Sequence, residues 1–473
     1  MAYLTSNNVQ LGASYPVSQA STDLFEQGCA AVAKYINTTS DCVVLGPSTT
    51  QLFRNLSLSL YEYITPGSEI IVSLLDHEAN IASWVQLAEW RQCTLKWWNA
   101  EDKKNPQLDC NVLRKLMTEK TKLVCCTHTS NILGTINDVK AIAKTVHEVP
   151  GALLCVDAVA YAPHRAIDVA DWGVDFYSFS WYKLYGPHIA SMYASKEAQK
   201  CLRTLGHFFK PTDSLENLLG LAAANYELTA SIPKVCEYLR GISWDDSAKH
   251  EEKLQAILID YLNSKPEVFQ ILGEPVADKE KRVPVISFTV RGRKSKDVVD
   301  AIEAKSDFGC RWGSFYSNRL VKEVLGLDPV DGVVRVSLLH YNTGECNISS
   351  MSRCHVEAQR YLGQSIAHSA KACALYIAVR RSAHSLPRKA MFPTNTQVLT
   401  KSQRRRSKAM SKFWMKSRIR RYLEPGIFAP SSSFLLIVTA ELEQSSQAAV
   451  DDVHGITLIA VLELQPPLSS PLL

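Results

Sequence analysis

The sequence predicts an α/β protein, built on a mostly parallel sheet with helices on both faces, followed by a smaller α+β domain and a tail of different character. Three observations carry this. Short apolar runs alternate with amphipathic stretches from about Ser21 to Val299, and strand-helix-strand spacing of this kind requires crossover connections between parallel strands. A second, shorter alternation runs from about Trp244 to Gly363. The 473 residues, 46% of them hydrophobic, are enough to bury a sizeable core.

The elements follow in order. "CVVLG" reads as a strand and "TTQLFRNLSLSLYEYI" as the helix after it; "EIIVSLLD" leads to the helical "ANIASWVQLAEW", and "KLVCCTHTS" to "VKAIAKTVHEV". "ALLCVDAVA" is followed by a short connector and the strand "VDFYSFS". In the second alternation "VPVISFTVRG" and "VVRVSLLHYN" are strands on either side of the helix "SKDVVDAIEAK". The expected division is an N-terminal arm over 1–20, a large domain over 21–243, a small C-terminal domain over 244–364 and a tail over 365–473.

The tail differs in charge. It holds 15 Lys+Arg against 6 Asp+Glu, while residues 1–364 hold 37 against 41, so a total of +5 combines a body near −4 with a tail near +9. "KSQRRRSKAMSKFWMKSRIRR" carries ten basic side chains and no acid. A solvated, disordered segment is the expectation; phosphate or anionic-membrane binding is its rival, and a third reading is that the tail is foreign to the fold. No folded nucleic-acid module accompanies the run, so nucleic acid is not expected as a partner. Neither "FLLIVTA" nor "ITLIAVLEL" approaches the length of a membrane span, and the start lacks a secretory pattern. Thirteen scattered cysteines suggest a reducing, cytoplasmic setting and no disulfide framework. The adjacent pair Cys125 and Cys126 reads as buried strand. No metal is expected.

Open parallel sheets place ligands at the carboxyl ends of their strands. After "CVVLG" come Ser48, Thr49 and Thr50, hydroxyls opening a helix, which suit a phosphate as well as an ordinary N-cap. After "EIIVSLLD" comes His77, and after "KLVCC" comes Asn131, beside a turn. After "ALLCV" comes Asp157, an acid whose burial demands a cationic partner. Lys183 follows "VDFYSFS" among Phe179, Trp181 and Tyr182, where desolvation would lower its pKa and make the amine a nucleophile; a surface lysine is the plainer alternative. Together these groups meet the needs of pyridoxal 5'-phosphate: a phosphate cup, a stacking ring, an acid for the ring nitrogen, an amide for its hydroxyl and a lysine for its aldehyde.

On "LGPSTTQLFRNLSLSL", "SLLDHEANIASWVQLAE", "THTSNILGTINDV", "CVDAVAYAPHRAIDVADWGVDFYSFSWYKLYGPH" and "GVVRVSLLHYNT", the chain resembles the class V aminotransferase group of fold-type I pyridoxal-phosphate enzymes, within it the cysteine-desulfurase-like branch. The resemblance covers roughly residues 3–343. It implies that Thr49, Thr50, Ser180 and Tyr182 contact phosphate, that His77 stacks on the ring, and that Asn131 and Asp157 reach its hydroxyl and nitrogen. It further implies that Lys183 holds the cofactor as an internal aldimine and then moves protons, that Arg335 grips the substrate carboxylate, and that the protein is a homodimer.

The departures are as informative. Where desulfurases carry a nucleophilic cysteine, "RWGSFYSNR" offers Tyr316, with Cys310 ahead of the loop. The family glutamine beside the cofactor is replaced by Ala160, and the histidine before the lysine by Tyr182. A phosphate contact lent by the partner subunit is missing near "GLAAANYE", and the polypeptide is expected to be short at its N-terminal end. "SWYKLYGPH" and the lost cysteine are similar to desulfurase-like enzymes of fungal peptide-toxin pathways of the ustiloxin type. The implied activity acts on an amino acid through an external aldimine, losing a β-substituent or β-carboxylate to leave an enamine that attacks an aldehyde or peptide-derived acceptor. The alternatives are a C-S lyase, aminotransferase or epimerase, or an inactive or truncated family member.

Overall fold

The computed structural model describes residues 2–221, 224–304, 309–343, 437–438 and 458–459. Seven strands form the main sheet: β1 (Val43–Gly46), β2 (Glu69–Ser73), β3 (Thr94–Trp98), β4 (Thr121–Thr127), β5 (Leu153–Asp157), β6 (Phe176–Ser180) and β7 (Ala190–Ala194), in the order β1-β7-β6-β5-β4-β2-β3. Only β7 runs against its neighbours, pairing antiparallel with both β6 and β1. The carboxyl ends of the other six strands therefore share one edge.

The sheet is buried on both sides, as parallel sheets are. Alternate residues go to opposite layers: Val43, Val124, Leu154, Val156, Tyr177 and Phe179 pack with the helices Pro16–Tyr35 and Val139–Val146, while Val44, Leu123, Cys125, Cys155, Phe176 and Met192 pack with the helices Thr49–Ser59 and Ala82–Arg91. Continuous apolar runs were the sequence signature of this arrangement, and both Cys125 and Cys126 are fully buried on β4, one in each layer.

A second sheet, in the order β10-β11-β9-β8, is wholly antiparallel and is made of β8 (Phe269–Leu272), β9 (Val285–Val290), β10 (Arg311–Gly313) and β11 (Val333–Ser337). The helices Trp244–Asn263 and Ser295–Glu303 cover it through Leu254, Leu258, Leu262 and Val299. The turn after β4 locks onto this sheet. Gly134 lies at φ +72°, and a Cβ there would come within 2.3 Å of Val285 O, so only glycine allows the approach. The Ser287 hydroxyl donates to Ile132 O beside it.

The sequence placed the arm-to-domain boundary inside what is one helix, Pro16–Tyr35, opened by proline at its first position. The strands β3 and β7 were not anticipated. Most of the tail, with its basic run, lies outside the described residues; within it Ile437–Val438 pairs antiparallel with Leu458–Ile459. Among the described residues no helix is long and apolar enough to cross a membrane.

Candidate active site

The carboxyl edge of the main sheet opens into a cleft. Its lining brings together Ser48, Thr49, Thr50, His77, Asn131, Asp157, Ser180, Tyr182 and Lys183, along with Ala160. Residues from five different strand ends thus meet at one place.

At the end of β1, Ser48 caps the helix Thr49–Ser59 by accepting from Gln51 N–H at 3.1 Å. The capping role and an anion-binding role are compatible, because the hydroxyl keeps its own proton to donate. Thr49 Oγ1 and Ser180 Oγ are 2.8 Å apart, which joins the ends of β1 and β6 and gathers hydroxyls at a helix N-terminus.

At the end of β2, His77 Nδ1 accepts from Ala79 N–H at 3.0 Å, so the ring proton sits on Nε2. Burial, reinforced by Lys183 and Arg335, lowers its pKa to about 4 and keeps the imidazole neutral. Its neighbour Asp76 is fully buried, which pushes its pKa up to about 8; Oδ1 accepts from Asn80 Nδ2 at 2.7 Å and Oδ2 has no partner.

Asp157, 4% exposed, ends β5. Oδ1 accepts from Val159 N–H at 2.9 Å, and Oδ2 takes no hydrogen bond from a described residue. Burial raises its pKa to about 6 against the pull of Val159 N–H and Lys183. Lys183 stands in a short 3₁₀ turn after β6. Its side chain reaches the open cleft, yet surrounding protein desolvates the amine and lowers its pKa; Asp157 opposes this, and Arg335 and Arg311 add to it.

The aromatic setting expected for Lys183 needs correction. Phe179 and Trp181 pack below the sheet against Tyr35, with Trp181 Nε1 donating to Ser191 Oγ at 2.6 Å. Strand alternation sends them to the layer opposite Ser180. Tyr182 alone remains beside the amine, its ring centre 6.0 Å from Nζ, and it stacks on His188 with the planes 6° apart.

Asn131 lines the cleft, but its amide is engaged. Nδ2 donates to Phe315 O at 3.0 Å and Oδ1 accepts from Ser317 Oγ at 2.9 Å. This fastens the loop carrying Tyr316, whose carbonyl also accepts from Glu78 N–H at 2.8 Å. Phe315 and Tyr316 both have left-handed backbone, at φ 48° and 61°, and Tyr316 is 76% exposed with its ring centre 5.4 Å from that of His77. Arg335, on β11, donates from Nη1 to Asn131 O at 2.9 Å, stacks 3.9 Å over Phe315, and has a buried Nε without a partner. Arg311 faces it across the β10-β11 ladder and lies 5.6 Å over the same ring. Cys310, next to it, is buried, and its thiol is pushed up to about 12.

Sequence reasoning missed Thr127, Thr129 and Val159 as lining residues, and also Arg311. Thr129 Oγ1 is buried with no partner; hydroxyls in the "THTS" that ends β4 were the available signal.

The residues fit pyridoxal phosphate. The cleft offers hydroxyls at a helix start, a neutral ring for stacking, an acid with an open oxygen, an orphaned hydroxyl and a desolvated amine.

Comparison with known proteins agrees. A family model described as "Aminotransferase class-V" matches residues 1–346. The aminotransferase-like protein FGM3 of Gibberella zeae is 56% identical over 346 residues, covering 72% of this chain and 85% of that protein. The cysteine desulfurase-like protein ustD of Aspergillus flavus is 40% identical over 320 residues, covering 66% and 73%. A solved cysteine desulfurase from Thermococcus onnurineus NA1 shares the fold with a TM-score of 0.65 at 23% identity, covering 72% of this chain and 85% of that one. The chain belongs to the class-V aminotransferase family and is a pyridoxal-phosphate-dependent enzyme of the cysteine desulfurase-like kind.

Proposed function

We propose that this enzyme acts on an amino acid bearing two carboxylates and breaks a bond at its β-carbon by β-decarboxylation, the β-carboxylate leaving as CO2 and its bonding electron pair staying on the β-carbon. The nucleophilic carbon left behind then joins an aldehyde or a peptide-derived acceptor. The biological setting we propose is the assembly of a fungal peptide mycotoxin, carried out by a cytoplasmic homodimer. Residues 21–243 and 244–364 serve in this reading as the cofactor-binding and small domains.

The observation that carries the proposal is the mouth of the cleft. Tyr316 stands over His77, none of the described cysteines lines the cleft, and Cys310 is buried with its thiol held protonated. A persulfide needs a thiolate at the reacting atoms, so sulfur transfer has no acceptor among the described residues. Arg311 and Arg335, paired across the β10-β11 ladder with both guanidiniums over Phe315 and Arg335 bonded to Asn131 O of the cleft, suit a second carboxylate better than a thiol.

When bound, pyridoxal phosphate supplies a ring that withdraws electrons from the carbon bearing the amino group. Ser48, Thr49, Thr50, Ser180 and Tyr182 would hold its phosphate, and His77 would offer a neutral face to the ring. Asp157 would keep a proton on the ring nitrogen, and Asn131 and Thr129 are the groups that would meet its hydroxyl. Arg335 takes the α-carboxylate through a fork matched to two oxygens, and Arg311 takes the second carboxylate. Lys183, its amine kept below the ordinary lysine range, removes or returns a proton on the substrate carbon. Tyr316 and His77 shape the side from which the acceptor arrives.

The test is to incubate the loaded protein with aspartate, with cysteine, and with each plus an aldehyde. Release of CO2 that rises when the aldehyde is present supports the proposal. Sulfide or a keto acid in its place makes the enzyme a C-S lyase or aminotransferase.

A further inference from the structure

Tyr185 lies just beyond Lys183 and has left-handed backbone, φ 61°. That conformation is costly for a residue with a bulky side chain and costs glycine nothing; backbone bonds from Leu184 and Gly186 N–H to Trp181 O close the turn, and the Tyr185 side chain adds contacts of its own. The hydroxyl lies 3.1 Å from Pro163 O and 3.0 Å from His340 Nδ1. The ring packs edge-on against His340, centres 5.1 Å apart at 90°, and against Tyr238, 5.9 Å apart at 71°.

These partners belong to informative places. Pro163 is on the chain leaving β5, which ends in Asp157; His340 is on the chain leaving β11, which carries Arg335. One hydroxyl on the lysine turn therefore touches the chain leaving β5, through Pro163 O, and the chain leaving β11, through the His340 side chain.

The hydrogens can be assigned so that every atom is matched. Pro163 O only accepts, so Tyr185 O–H donates to it. The Tyr185 oxygen then accepts from Nδ1–H of His340, and Nε2 accepts from Tyr238 O–H at 3.2 Å. The chain of donors runs one way and uses a neutral imidazole, which burial favours by lowering the His340 pKa.

We propose that Tyr185 is a positioning residue for Lys183: its hydroxyl ties the lysine turn to the segments carrying Asp157 and Arg335, and so fixes where the amine stands between acid and guanidinium. This rests on the reading that Lys183 carries the cofactor. No role in binding substrate is assigned to Tyr185.

The test is Tyr185→Phe, which removes one hydroxyl and keeps the ring and the backbone. The visible band of protein loaded with pyridoxal phosphate is titrated with pH, alongside kcat and KM for aspartate and a thermal melt. The expected result is a midpoint moved by about one pH unit and kcat down about tenfold, with KM within about twofold. His340→Leu, which cannot donate to the Tyr185 oxygen but leaves its bond to Pro163 O, should move the midpoint the same way by a smaller amount and serves if Tyr185→Phe does not fold. His340→Asn, whose amide can donate, should restore most of the wild-type titration. A wild-type titration and kcat in both Tyr185→Phe and His340→Leu, whatever the melting temperature, overturn the proposal. Wild-type protein with no borohydride-trapped adduct at Lys183 overturns the cofactor reading itself, and this inference with it.

Discussion

Arg311 and Arg335 face each other across the β10-β11 ladder and share one ring, with the guanidinium carbons 5.6 Å and 3.9 Å from the centre of Phe315. Like charges directly opposite on a ladder destabilise each other. Burial, followed by the charge of Arg311, lowers the Arg335 pKa to about 10. An anion bound between the two relieves this repulsion. Arg311→Gln should therefore raise KM for aspartate by about 10–100-fold, the loss of a charge-assisted hydrogen bond of about 1.5–3 kcal/mol. KM for an amino acid with one carboxylate should change less than about threefold. Arg335→Lys, which gives up the planar fork, should weaken both substrates alike. Steady-state kinetics with the two substrates checks the contrast.

Lys183 gives the most direct prediction. Wild-type protein given pyridoxal phosphate should show a visible band that borohydride abolishes, with the label recovered on the peptide containing Lys183. Lys183→Ala should fold, since the side chain opens to the cleft and makes no hydrogen bond with a described residue, yet it should lack the band. Peptide mapping after reduction checks both proteins.

These residues were legible in the sequence for a simple reason. Parallel strands are apolar throughout, so a polar group just past each run stands out, and Asp157 and Lys183 follow such runs. The fold was legible where periodicity is local. β7 and β3 were not: an antiparallel strand inserted between β1 and β6 is fixed by pairing with distant segments, and nothing in "ASMYA" declares its direction. Thr127 and Thr129 escaped because threonine is common in strands. The engagement of Asn131 by the Tyr316 loop depends on contacts between residues far apart in sequence, which no spacing rule reports.

Asp157 should cost the cofactor-free protein stability. Its carboxyl is raised from 3.8 to about 6 by burial, so between those values the folded protein holds more protons than the unfolded chain. Stability is highest below the unfolded pKa and falls as pH rises through the folded one. Asp157→Asn carries no charge and escapes the loss. Without cofactor the variant should be more stable than wild type at pH 7.5 by about 1–3 kcal/mol, with the difference vanishing toward pH 4. It should also bind pyridoxal phosphate more weakly, because the ring nitrogen loses its anionic partner. Denaturant melts across the pH range, together with a cofactor titration, check the pair of effects.

Tyr316 sets stability against function in another way. Its backbone is left-handed at φ 61°, and the preceding Phe315 shares that state, yet the Tyr316 ring is 76% exposed and contributes little burial. Hydrogen bonds to its carbonyl and to the neighbouring residues hold the loop without help from the ring. Asparagine accepts left-handed backbone more readily than tyrosine and leaves those bonds intact. Tyr316→Asn should therefore stabilise the protein by about 0.5–1 kcal/mol. If the ring helps seat the acceptor against His77, the same variant should keep CO2 release from aspartate while losing most of its coupling to an aldehyde. Measuring CO2 and coupled product in one reaction separates the two effects: equal losses would place Tyr316 in the handling of the amino acid, and no loss would leave it a strained surface residue without a part in the chemistry.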